Sequence, residues 1–196
     1  SRSGAKVTPQ SLFNIASCSK AFTAASVAML VEEGKLDWHD RVTDYIPELE
    51  LADPYITDHL NIIDILAHRS GLSTFTGDLL WYQTDYTNEQ IIERMEYLPI
   101  ENEFRSEFGY QNNMFMVAGE IVERVTGQTW SAFIEERFFT PLGMENTVPS
   151  SDELQSGADI AYPHDRGEQI GLYDFNGTKP AASIYSNIED LSSWVK

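Results

Sequence analysis

The chain has 196 residues, a formal net charge of −18 and 42% hydrophobic residues. This length and apolar content predict a globular protein with one core, most simply a single domain over residues 1–196. The strong negative charge argues against binding to a nucleic-acid backbone. No apolar run approaches the roughly 20 residues of a membrane-spanning helix. The four histidines are scattered without paired spacing, so we expect no metal and no other cofactor.

The pattern of apolar residues predicts a mainly helical chain with few strands. A strand-like segment, 12–15, leads into an apolar, alanine-rich helix that Gly34 ends, a pattern typical of a helix buried at the centre of a domain. Capping residues and apolar periodicity predict five further helices. These run from Asn61 to near His68, from Thr87 to Leu98, over residues 113–126 with Gly127 ending the helix, from Thr129 to Phe139 with Pro141 stopping the helix, and from Ser186 to the end of the chain.

Two segments lack any helical or strand period. Residues 73–86 are aromatic and polar, and they predict a surface loop that could line a cleft. Residues 149–182 contain glycine, proline and aspartate, and they predict a loop that could hold a short strand.

Ser17 and Lys20 form a Ser-x-x-Lys pair on the predicted opening turn of the first helix. A serine hydroxyl needs a nearby base to act as a nucleophile, and positions i and i+3 of a helix share a face. Lysine can be that base only when it is neutral, so its pKa must fall below the usual value of about 10.4. The helix N-terminus would also favour an oxyanion that forms near Ser17.

The pair alone does not decide between a nucleophile and a structural role. Ser-x-x-Lys occurs three times in the sequence, and the pair with its helix alone favours a helix-capping Ser17 with a surface Lys20, because caps are far commoner than nucleophiles. The neighbouring Cys18 would point about 100° away around a helix. We therefore expect Cys18 to be a small buried packing residue and not a second nucleophile.

Several segments in fixed order resemble the serine β-lactamase and penicillin-binding-protein superfamily, above all its class C-like branch of esterases and D-amino-acid peptidases. The first is the run from Phe13 to Ala24 around Ser17 and Lys20, which matches the nucleophile segment. The others are ILAHRSGL at 65–72, YQN at 110–112, AGEIVERVTG at 118–127 and PLGM at 141–144.

The resemblance implies a role for each matching residue. Ser17 would be the nucleophile, Lys20 and Tyr110 would move its proton, and Asn112 would bind Lys20 or the substrate. Tyr-x-Asn also occurs at 86–88 and 185–187, but only the pair at 110–112 precedes the predicted helix with the family-like tail. His68 is a weaker candidate for the base, because the matching family position is structural.

The resemblance further implies a serine hydrolase that forms an acyl-enzyme on a small ester, a D-amino-acid peptide or a β-lactam, with esterase or peptidase activity ranked above true β-lactamase activity. It also favours a periplasmic or secreted location. The family's third motif, Lys-x-Gly or His-x-Gly on a strand, is absent from the sequence. The alternative is therefore a non-catalytic fragment or pseudoenzyme that keeps the fold for binding or assembly.

The expected fold is mixed α and β. It comprises mainly the helical part of the β-lactamase/DD-peptidase-like fold, with most sheet strands outside this chain, which resembles the middle of a longer protein. The missing strands would come from further sequence or from another chain.

Overall fold

A computed structural model of the protein describes residues 6–196, apart from the side chain of Asn176. The regular secondary structure of the described residues is mainly helical, with four short strands. The helices are α1 (Ser19–Glu32), α2 (Val42–Tyr45), α3 (Pro54–His59), α4 (Ile62–Leu66), α5 (Asn88–Arg94), α6 (Asn112–Thr126), α7 (Trp130–Ile134), α8 (Thr140–Leu142), α9 (Lys179–Ala182) and α10 (Ile188–Trp194). Short 3-10 turns cover Ala16–Cys18, Asp78–Leu80, Met95–Tyr97, Ser151–Glu153 and Asn176–Thr178, and a π-helical turn covers Glu135–Phe139.

The strands form two small antiparallel pairs. β1 (Phe13–Asn14) pairs with β4 (Tyr185–Ser186), with Phe13 opposite Ser186. β2 (His164–Asp165) and β3 (Glu168–Gln169) form a hairpin within the long predicted loop 149–182. The pairing of β1 with β4 brings the start of the described chain beside its end, immediately before α1.

The main core lies between α1, α6 and the helices around them. Phe22 and Leu30 of α1 are buried, and most of α6 is buried as well. The rings of Phe22 and Trp194 stack at 4.0 Å between centroids, which joins α10 to α1. The helix α1 is less enclosed than its apolar sequence predicts, since Ala21 is exposed and several of its alanines are only half-buried.

The capping signals in the sequence correctly predicted where three of the helices begin. Asn61 with Asp64, and Thr87 with Gln90, form complete capping boxes at the starts of α4 and α5. Thr129 accepts a hydrogen bond from the backbone N–H at 132 at the start of α7. Each cap uses only residues within one turn, so the local sequence was sufficient to predict it.

Two predicted helix boundaries were wrong. The helical chain continues through Pro141 to Leu142, because the π-helical turn before it changes the hydrogen-bond register and proline falls in the first turn of α8. The last helix is capped by Asn187, whose Oδ1 accepts from the backbone N–H of Asp190 at 2.8 Å. Ser186 instead lies in β4 and pairs with the hydroxyl of Thr147.

Within residues 6–196, no helix is both long enough and apolar enough to cross a membrane.

Candidate active site

Ser17 lies at an exposed corner between β1 and α1. It occupies the 3-10 turn Ala16–Cys18, one turn earlier than the predicted position in the opening turn of the helix. Ala16 has φ of +46°, a left-handed conformation that residues other than glycine rarely adopt. The Ala16 N–H donates to Oδ1 of Asn14 in β1, and the N–H of Ile15, just before the turn, donates to the carbonyl of Ile184, just before β4. These two bonds fix the backbone that enters the turn.

The same turn exposes Cys18, which we expected to be buried. The prediction placed Cys18 inside a regular helix, where it would have faced neighbouring elements. In the 3-10 turn its side chain lies on the outside of the corner instead.

Lys20 is buried directly beneath Ser17, with 7% of its surface exposed. Its Nζ donates to Ser17 Oγ at 3.2 Å, to Asn112 Oδ1 at 2.8 Å and to the carbonyl of Ala181 at 3.0 Å. Burial lowers the pKa of Lys20 to about 8, and the nearby carboxylate of Asp78 partly opposes that change. A substantial fraction of Lys20 is therefore neutral near pH 8, as a base for Ser17 must be.

Tyr110 reaches Ser17 from the other side. Its hydroxyl donates to Ser17 Oγ at 2.6 Å, and its ring lies 4.7 Å from Nζ of Lys20. The backbone of Tyr110 is fixed by Thr74, whose Oγ1 accepts from the Tyr110 N–H, and by Phe75, whose N–H donates to the Tyr110 carbonyl. Tyr110 and Asn112 flank the start of α6, so one helix end delivers both side chains to the site.

The other two Tyr-x-Asn pairs have different surroundings. Tyr86 is exposed and its ring lies against the guanidinium of Arg94. Tyr185 is 2% exposed within β4, and Asn187 caps α10. The structure therefore brings only the pair at 110–112, of these three described copies, into contact with Ser17 and Lys20.

Asn112 connects Lys20 to Asp78. Its Oδ1 accepts from Lys20, and its Nδ2 donates to Oδ2 of Asp78 at 2.9 Å. The sequence interpretation missed both Asp78 and the carbonyl of Ala181. Asp78 lies in the 73–86 segment that was predicted to line a cleft, but that segment has no periodic pattern that could have singled it out.

His68 lies beside the site in a structural position. Its Nδ1 accepts from the backbone N–H of Gln111 at 3.0 Å, and its ring lies 4.5 Å from the ring of Tyr110. Burial and the charge of Lys20 lower the pKa of His68 to about 4, so the imidazole is neutral at ordinary pH. In this arrangement His68 supports the backbone that carries Tyr110 and Asn112.

The profile of the beta-lactamase family matches residues 1–196 of this sequence. The chain belongs to the beta-lactamase family. Among curated relatives, "Unguisins hydrolase ungD'" of Aspergillus campestris is 29% identical over 204 residues, which cover 96% of this chain and 38% of that protein.

Solved structures of the family share the fold. D-amino acid amidase from Ochrobactrum anthropi SV3 superposes with a TM-score of 0.82 at 25% identity, and the match covers all of this chain and 57% of that one. A class C beta-lactamase superposes with a TM-score of 0.78 at 22% identity, covering 96% of this chain and 50% of that one. These matches confirm the predicted mixed fold, and the chain spans about half the length of these structures.

Two segments come nearest to the family's third motif, at Lys179 and at His164, and neither has its sequence. Lys179, Pro180 and Ala181 belong to α9, where the carbonyls of Pro180 and Ala181 accept from Thr23 Oγ1 and Lys20 Nζ. His164 lies in the β2–β3 hairpin. Among residues 6–196, no group of three metal-binding side chains comes together.

A cavity of about 700 Å³ lies beside Trp81, close in sequence to Asp78. Its walls come from the segments 81–88 and 170–174, together with Gly177, and they include Trp81, Tyr82, Tyr86 and Tyr173. The indole Nε1 of Trp81 donates to Asp78 Oδ1 at 3.2 Å. One wall of the cavity is thus joined by hydrogen bonds, through Asp78 and Asn112, to Lys20 beside Ser17.

Proposed function

We propose that the protein is a serine hydrolase that acts by acyl transfer. One observation carries the proposal: the Tyr110 hydroxyl and the Lys20 amine both contact Ser17 Oγ, at 2.6 Å and 3.2 Å. Nucleophilic catalysis by serine requires a base within hydrogen-bond reach of an accessible hydroxyl, and Lys20 and Tyr110 are two groups that can fill this role for the exposed Ser17. Membership of the beta-lactamase family supports the same conclusion.

In the proposed reaction, Ser17 Oγ attacks the carbonyl carbon of the substrate while Lys20 or Tyr110 accepts the hydroxyl proton. The tetrahedral intermediate collapses when the leaving group takes that proton, which yields an ester between Ser17 and the acyl group. Water then attacks this ester, with the same residues moving its proton, and releases the acid. The positive end of α1, which begins at Ser19, lies next to the oxyanion.

We propose that the substrate is a small ester or a D-amino-acid amide or peptide, ahead of a β-lactam. Similarity to an Ochrobactrum D-amino acid amidase and to an Aspergillus unguisins hydrolase supports an amide or ester carbonyl. The alternative is a non-catalytic role, which follows if the whole protein also lacks the Lys-x-Gly or His-x-Gly motif that residues 1–196 lack. The resemblance implies that the strand carrying this motif supplies the second N–H donor of the oxyanion hole. Loss of one such donor lowers the catalytic rate about 10²–10³-fold.

The test is covalent labelling of the complete gene product with a fluorophosphonate, followed by peptide mass spectrometry. We expect a single adduct on Ser17 in the native protein and none in Ser17→Ala. Ser156→Ala is the control, since Ser156 is an exposed serine in another loop and its replacement should leave labelling intact. Folded protein with an unlabelled Ser17 would reject the hydrolase proposal and favour the non-catalytic alternative.

A further inference from the structure

Asp78 is a half-buried carboxylate whose two oxygens both accept hydrogen bonds near the site. Oδ2 accepts from Asn112 Nδ2 at 2.9 Å, and Oδ1 accepts from Trp81 Nε1 at 3.2 Å. Burial raises the pKa of Asp78, while these two donors and the charge of Lys20 act in the opposite direction. Both side-chain donors are neutral groups that stabilise the ionised form.

We propose that Asp78 is a positioning residue that orients Asn112 and favours the protonated form of Lys20. This inference rests on the proposed function, in which Lys20 gains and loses a proton. An ammonium can only donate hydrogen bonds, so Asn112 must present Oδ1 and not Nδ2 to Lys20. The Asp78 carboxylate can only accept, and it therefore holds the amide in the one orientation that satisfies both neighbours.

Asp78 also supplies negative charge to a buried amine. The other titratable groups that face Lys20 are His68, which is neutral because its pKa is about 4, and Tyr110, which presents its ring to Nζ. Asp78 therefore opposes the effect of burial on Lys20. When Lys20 takes the Ser17 proton, Asp78 stabilises the resulting ammonium through the Asn112 amide, without touching Ser17 or the substrate.

The experiment measures the titration of Lys20 directly. The complete gene product is labelled with ¹³C-lysine, and the ¹³Cε resonance of Lys20, assigned by its loss in Lys20→Arg, is followed against pH by NMR. We expect a midpoint near 8 in the native protein. In Asp78→Asn we expect the midpoint to fall by about one pH unit, since a nearby opposite charge that favours the ammonium is removed.

Asp85→Asn is the matched control. Asp85 is an exposed carboxylate that lines the same cavity, and its removal should leave the Lys20 midpoint unchanged. If Asp78→Asn does not fold, as judged by circular dichroism, the smaller Asp78→Ser replaces it. In the folded variant, the pH profile of fluorophosphonate labelling should move to lower pH with the NMR midpoint.

The outcomes separate this inference from the proposed function. An unchanged Lys20 midpoint in folded Asp78→Asn or Asp78→Ser would overturn the role of Asp78, as would an equal shift in Asp85→Asn. The NMR titration needs no catalysis. A native protein that is not labelled at Ser17 would reject the proposed hydrolase, while the titration would still report whether Asp78 acts on Lys20.

Discussion

At the residue scale, the site depends on a lysine that is buried without losing its hydrogen bonds. Lys20 Nζ has three acceptors, one on Ser17, one on Asn112 and one on the backbone of Ala181. These acceptors compensate part of the cost of removing an ammonium from water. The remaining cost lowers the pKa to about 8, and this is what makes Lys20 suitable as a base.

The Tyr110 hydroxyl should be needed for acylation and not for folding. We expect Tyr110→Phe to reduce the rate of Ser17 labelling by about 10²–10⁴-fold, the range that general acid–base groups contribute. The measurement is the second-order rate of fluorophosphonate labelling at fixed pH.

Tyr86→Phe is the matched control, because it alters another Tyr-x-Asn tyrosine that is exposed and packs on Arg94. Its labelling rate should equal that of the native protein. A Tyr110→Phe protein that is labelled as fast as this control would show that Tyr110 takes no part in proton transfer.

The sequence predicted the members of the site that belong to short motifs. Ser17, Lys20, Tyr110 and Asn112 each lie within three residues of a motif partner, and the structure brings all four together. Whether they carry out catalysis stays a prediction. Asp78 was not predictable, because it reaches the site through a non-repeating loop and its contact with Asn112 is long-range.

At the element scale, α1, α6 and α9 meet around Lys20. Gly119 of α6 allows this approach, since a Cβ at that position would lie 2.1 Å from Cγ of Pro180 in α9. The neighbouring carbonyl of Ala181 is an acceptor for Lys20. The lack of a side chain at Gly119 therefore determines how closely the Ala181 carbonyl can approach Lys20.

Gly119→Ala should destabilise the protein through this contact. We expect a loss of about 1–3 kcal/mol in the free energy of unfolding, the usual cost of overpacking a core, measured by urea denaturation. Labelling of Ser17 should also slow, because α9 must move away from Lys20.

Gly171→Ala is the control for Gly119→Ala. Its added Cβ would meet nothing within 4 Å, so the free energy of unfolding should change by less than about 0.5 kcal/mol. Equal stability of the two variants would contradict the close packing of α6 on α9.

A helix end was predictable from the sequence where the residues that cap it lie within one turn of it. The capping boxes of α4 and α5 are local, and both were confirmed. The predicted cap of α10 was wrong because Ser186 forms a hydrogen bond with the distant Thr147 and pairs with Phe13 of β1. The short helix α9 was missed because tertiary contacts with α1 and α6, rather than periodicity, hold it in place.

At the scale of the whole molecule, the net charge of −18 is the dominant electrostatic feature. Repulsion among like charges destabilises a compact state. Salt at 0.1 M largely screens the interaction between exposed charges that are more than about 10 Å apart. We expect an increase from 10 mM to 200 mM NaCl to raise the stability by about 1 kcal/mol, or about 2–4 °C in Tm for a chain of this size. Differential scanning calorimetry measures this change.

A variant with fewer exposed acids tests the cause of the salt effect. Glu50, Glu93 and Glu107 are exposed, and replacing all three by glutamine should reduce the dependence of Tm on NaCl. A native Tm that does not change or falls with salt would show that attractive ion pairs, such as those of Asp64 with Arg69 and Arg105, outweigh the repulsion.

The central claim is that Ser17 forms an ester with its substrate. The most direct measurement is acid quenching of the complete gene product during turnover of a p-nitrophenyl ester or a D-amino-acid amide, followed by peptide mass spectrometry. We predict an acyl group on the peptide that contains Ser17, absent in Ser17→Ala and accumulating faster as pH rises through about 8, where Lys20 loses its proton. Turnover with no acyl group on Ser17, or with the acyl group on another residue such as Cys18, would contradict the account.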